Sequence, residues 1–173
     1  MKNLIAIIAF VISLQATAQT DSLTTWAREN KVDKLAKYAL NINLDVQDSK
    51  GYTPLIIAAY NGNKETVEWL LAHNANPNVQ DNSGNTALMG VCFRGYADVA
   101  GILLKNKANP NMANGNNANA LFFATTFGHS EIVKLLLEYN TNTKQIDRFG
   151  KTALDYAIGQ GNDEIINLLN NYK

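Results

Sequence analysis

One cysteine and two histidines are the side chains of this 173-residue chain best suited to nucleophilic, redox or metal chemistry, and their placement provides for none of it. Cys92 stands in Val91-Cys-Phe93, at a small position on the apolar side of a helical pattern, where a lone thiol is a buried apolar filler. A cysteine nucleophile needs a base beside it. His73 ends one helical pattern and His129 opens another, so neither is placed to serve, and the expected role of both is helix-end solvation. No other metal-ligating residue stands at zinc-site spacing from either. The Asp and Glu residues recur as first-turn charges and turn caps, not as a convergent acid–base pair. No glycine-rich phosphate loop is present, because each recurring glycine falls between two elements. With a single cysteine, no intramolecular disulfide forms.

The elements that carry these residues repeat. Gly62, Gly95, Gly128 and Gly161 are each 33 residues apart, as are Leu55, Leu88, Leu121 and Leu154, and again Leu70, Leu103, Leu136 and Leu169. Three positions agreeing on period and register are the mark of a stacked repeat architecture. Gly51-Tyr-Thr-Pro-Leu55, Gly84-Asn-Thr-Ala-Leu88 and Gly150-Lys-Thr-Ala-Leu154 each set a turn glycine before a threonine N-cap, and Pro54 suits a first helical position. The short helix that follows carries small residues, Ala58, Ala59, Ala124 and Ala157, which permit close packing. After the stepping glycine a second helix begins, with Glu65, Asp98, Glu131 or Glu164 in its first turn, where negative charge favours the helix dipole. Its apolar residues make one buried stripe. Asn74 and Asn140 fall where a left-handed residue ends that helix.

In the Gly-x-Thr-Pro-Leu start and the Ala-Asn-Pro-Asn runs at 75–78 and 108–111, the chain resembles the ankyrin repeat family. The resemblance implies an all-α solenoid of helix-turn-helix units with β-turn or hairpin tips. Its units are repeats at 48–80, 81–113 and 114–146 and a C-terminal capping repeat at 147–173, preceded by a degenerate N-terminal capping repeat at 19–47. Trp26 and Leu35 are expected as the buried side of that first cap, and Asn170 as a polar residue on the last outer face. Two departures stand out. The family's usual histidine after Thr-Pro-Leu is replaced by Ile56, Met89, Phe122 and Asp155, which removes its hydrogen bonds between units. Asn117 and Asn119 replace the glycine and threonine of the third turn, which is therefore expected to be the least regular.

Ahead of the repeats, Met1-Lys-Asn3 is a positive start, Leu4 to Leu14 is apolar apart from Ser13, and Ala16-Thr-Ala18 is a small-x-small cleavage site. Residues 1–18 thus read as a secretory signal peptide, too short in its apolar core to span a bilayer, with a mature start at Gln19. The expected location is periplasmic or secreted, without membrane insertion after cleavage. Cleavage removes Lys2 and leaves 14 basic and 15 acidic residues, a net charge of −1, which gives no general attraction to nucleic acid.

What remains is a surface. In the ankyrin family the turn tips and the ends of the first helices form a concave face that binds proteins. Carried onto this sequence, that face includes Lys50, Tyr52, Tyr60, Phe93, Arg94, Phe127, Arg148 and Phe149, the residue types of which binding hot spots are made. The expected function is a monomeric, non-catalytic, exported module that binds an unidentified partner protein and uses no cofactor. Likeness to small exported bacterial ankyrin-repeat proteins implies an alternative, an accessory role in peroxide defence linked to a catalase, extending to haem handling. A rival of a different class is an enzyme or haem carrier using Cys92 or the histidines. A structural envelope component is a further alternative.

Overall fold

The computed structural model describes residues 20–39 and 42–172, so the expected signal peptide and its cleavage site lie outside the described residues. Among them are ten helical segments and no strand. Residues 20–28 form α1. The rest are α2 (Val32–Tyr38), α3 (Pro54–Tyr60), α4 (Lys64–Ala72), α5 (Ala87–Arg94), α6 (Ala97–Lys105), α7 (Ala120–Thr126), α8 (Ser130–Glu138), α9 (Ala153–Gln160) and α10 (Asp163–Asn171). Helices of seven to nine residues are too short to persist alone in water, so each exists because its neighbours bury it. The odd-numbered helices from α3 to α9 pack in one row and α4, α6, α8 and α10 in a second, with the inner row in closer contact. Ala58, Ala59, Ala124 and Ala157 are fully buried in that inner row. Leu70, Leu103 and Leu136 have no exposed surface between the rows.

Local chemistry sets each start and stop. Thr53 and Thr86 accept hydrogen bonds from the N–H groups of Ile56 and Met89, and Thr152 forms a complete capping box with Asp155. Gly95 and Gly161 end α5 and α9 in the left-handed conformation. At Gly95 a side chain would also displace the His129 ring, because a Cβ there would meet His129 Cε1 at 2.5 Å. Asn74, Lys107 and Asn140 take positive φ after the outer helices.

Hydrogen bonds at fixed steps then join unit to unit. The N–H groups of Asn82, Gly115 and Arg148 donate to the carbonyls of Lys50, Ser83 and Asn116, a backbone ladder along the tips. On the other side, Asp45, Asn78 and Asn111 accept from the N–H groups of Asn76, Asn109 and Asn142 at 2.7–2.8 Å. The third turn is as regular as the others, contrary to expectation. Asn117 adopts φ 58°, which asparagine tolerates better than other non-glycine residues. Its N–H bonds the Asn114 carbonyl at 2.9 Å, as Gly84 N–H bonds that of Asp81. Asn119 caps α7 on Leu121 N–H and spends its amide on the Asn142 carbonyl and Gln145. In the first cap, Leu23, Ala27 and Leu35 are buried, whereas Trp26 is only half-buried, with its ring tilted against Tyr38 at 5.6 Å. The last unit exposes Asn170 as expected, yet Ile158, at the step of buried Ala59, Cys92 and Thr125, is 57% exposed.

Candidate functional site

The side chains with reactive potential are all accounted for by packing. Cys92 has no exposed surface, and burial pushes its thiol well above the ordinary range, which keeps it protonated and non-nucleophilic. His73 lies on the outer row, stacked on Trp69 with ring centroids 3.9 Å apart and Nδ1 2.8 Å from the Trp69 carbonyl oxygen. His129 does more than cap a helix end in water. Its half-buried ring fills the space beside Gly95, and Nε2 lies 3.3 Å from the Phe93 carbonyl of the preceding unit. Asn63, one unit-pair earlier at the same step, likewise donates to the Ala27 and Arg28 carbonyls. This position therefore locks consecutive units. Among the described residues, no three His, Cys, Asp or Glu side chains could hold a metal ion.

The carboxylates nearest the tips are also committed. Asp48, Asp81 and Asp147 each accept from two N–H groups of their own turn, and Asn114 does the same in the third. Asp147 in addition accepts from the Tyr156 hydroxyl at 2.6 Å. Partial burial works to raise its pKa, but the bonds from Tyr156, Lys151 and Phe149 prevail and hold it below the usual value.

The aromatic residues make an open surface along the inner row. Tyr60 and Phe93 stand one step apart and stack at 6.0 Å, 16° between planes. Thr126 holds the next equivalent step, but Phe127, one residue on, turns its edge onto Phe93 at 4.5 Å. The row Tyr60–Phe93–Phe127 is continuous, with Tyr60 43% and Phe127 47% exposed, while Phe93 between them is half-buried rather than exposed. Arg94 sets its guanidinium 5.2 Å from the Tyr60 ring centre and bonds Tyr96 Oη at 3.2 Å, and that hydrogen bond raises its pKa further. Beside the row lies a groove of about 490 Å³, lined by Tyr52, Ile56, Tyr60, Met89, Gly90, Phe93 and Phe123, with Arg28 and Asp81 also on it.

A model of the family described as ankyrin repeats, in three copies, matches residues 23–114 and again 91–173. The chain belongs to the ankyrin repeat family. A search of curated proteins finds no match. Ankyrin repeats are protein–protein interaction modules, typically without catalysis, and the aromatic row lies on the inner helices that such a module offers. Of the residues expected on this face, Tyr52, Tyr60 and Phe93 line one groove, and Arg94 and Phe127 adjoin it through the Tyr60 and Phe93 rings. Lys50, Arg148 and Phe149 stand apart on the tips; Phe149, 66% exposed, carries the Arg148 guanidinium 4.6 Å from its ring centre. Arg28, Met89, Gly90 and Phe123 escaped sequence reasoning. The register could have found three of them, since Ile57, Gly90 and Phe123 share one step and Met89 precedes Gly90.

Proposed function

We propose that the chain is an exported, non-catalytic binding module that receives a partner protein in the groove beside Tyr60, Phe93 and Phe127. The observation that carries this reading is the row itself. Three aromatic rings in consecutive contact, two of them more than two-fifths exposed and one overlain by an arginine, form an apolar patch preorganised by rigid helices. Rigid display limits the entropy lost on association. Buried, protonated Cys92 and the structural engagement of both histidines favour binding over nucleophilic or haem chemistry. The charged start, apolar run and Ala16-Thr-Ala18 site support export, with Gln19 as the mature N-terminus, and intact mass of the protein recovered outside the cytoplasm tests it.

Binding is tested with Phe93→Ala combined with Phe127→Ala. If each ring is a hot spot worth at least about 2 kcal/mol, the pair should lose roughly a thousandfold in affinity. Lys134, paired with Glu164 at 2.7 Å on the outer row, is the control, and Lys134→Ala should bind as the parent does. Equal affinity of the folded double variant and the parent would place the interface elsewhere.

A further inference from the structure

Gly90 lies inside α5, where glycine costs a helix about 1 kcal/mol relative to alanine, and the stack does not require it. Its backbone is not left-handed. A Cβ built there would sit 3.6 Å from Tyr60 Cδ2, ordinary van der Waals contact. The neighbouring units place Ile57 and Phe123 at the same step. The missing side chain leaves a hollow in the groove floor, flanked by Ile57, Met89 and Phe123 and overlooked by Tyr60 and Phe93. Its openness is a feature of the groove and not a need of the fold.

The charge around this hollow is net positive, two arginines against one aspartate. Arg28 lines the groove and Arg94 covers its Tyr60 wall, both exposed. Among the described residues the ion pair found is Lys134–Glu164, so neither arginine has a carboxylate partner. The groove's own carboxylate, Asp81, is engaged by the N–H groups of Ser83 and Asn85 and by the Asn85 amide. A guanidinium already over the Tyr60 ring also excludes a second cation there. We propose that the hollow over Gly90 takes one apolar side chain from an acidic, extended segment of the partner protein, whose carboxylates pair with Arg28 and Arg94. This rests on the groove reading above and specifies the chemistry of its partner. The apolar side chain supplies most of the affinity, and the arginines supply discrimination and salt dependence.

The probes are fluorescent nine-residue peptides with a central leucine, phenylalanine or tryptophan flanked by glutamates. The same peptides with lysine flanks, and a glutamate-flanked peptide centred on alanine, are their counterparts. In anisotropy titrations of the full chain, at least one acidic apolar peptide should bind, with the alanine-centred and lysine-flanked versions at least tenfold weaker. Gly90→Leu, which fills the hollow, should lose at least tenfold with unchanged circular dichroism. Arg94→Glu, at an exposed position, should keep the parent's circular dichroism and lose the acidic peptide even if Gly90→Leu does not fold. Equal binding of both peptide charges, unchanged binding by folded Gly90→Leu together with Arg94→Glu, or no binding of any acidic peptide would overturn the proposal. Should those two variants bind normally while Phe127→Ala does not, the hollow falls and the groove stands; should all three bind normally, both fall.

Discussion

Thr125 is fully buried, and its Oγ1 meets no hydrogen-bond partner. A buried hydroxyl left unpaired carries its desolvation cost uncompensated. Replacing it with an isosteric methyl, Thr125→Val, should therefore raise stability by about 1 kcal/mol, read as a higher urea midpoint; a fall of that size would mean the hydroxyl has a partner. Cys92, at the same step one unit earlier, should react with a thiol reagent only after denaturant opens the stack, and prompt labelling of the native chain would contradict its burial. Its apolar role was legible in the sequence because small residues occupy that step in neighbouring units. The role of His129 was not, since its partners, the Phe93 carbonyl and the space beside Gly95, belong to the preceding unit.

At the scale of the element, starts and stops were legible because threonine caps and left-handed glycines act within a few residues of their own position. The third turn was misjudged for a physical reason. Asparagine supplies both the left-handed backbone at Asn117 and a side-chain cap at Asn119, so two departures from the pattern preserve the turn. Of the carboxylates whose pKa the fold lowers, Asp147, Asp155 and Glu164 lie in the last unit and Glu65 in the first full one. Asp155 is held below its ordinary pKa by the bond from the Thr152 hydroxyl and Thr152 N–H, and Asp147 is held low by the bonds already described. A carboxylate whose pKa is depressed by folding contributes in full above its unfolded value of about 3.9 and loses that contribution as pH falls through the lower folded value. Amide exchange in 147–172 should accordingly accelerate below about pH 4 before exchange in 54–105 does, after correction for intrinsic rates. Asp147→Asn should weaken this pH dependence while keeping the turn, because Asn114 already makes the same two turn bonds in the third unit. Uniform acceleration along the chain would place the acid-sensitive groups elsewhere.

Across the whole molecule, the period of 33 residues made the stack legible, since each unit buries its face only against the next. The groove was less so. Tyr60 and Phe93 share a step, but Phe127 joins them by turning back from the adjacent position, and the hollow exists through a missing side chain, which no pattern of apolar residues announces. Leu103, without exposed surface between central units, should cost about 2–5 kcal/mol as Leu103→Ala, with faster amide exchange in both adjoining units. Damage confined to its own unit would contradict nearest-neighbour coupling. The central claim, that the inner row is the binding face, is tested most directly by a photo-crosslinking aromatic amino acid placed at Phe127 or, separately, at Lys134, with irradiation in the native compartment and mass spectrometry of the adducts. The probe at Phe127 should yield one discrete protein adduct and the probe at Lys134 none; an adduct from Lys134 with none from Phe127 would contradict the account.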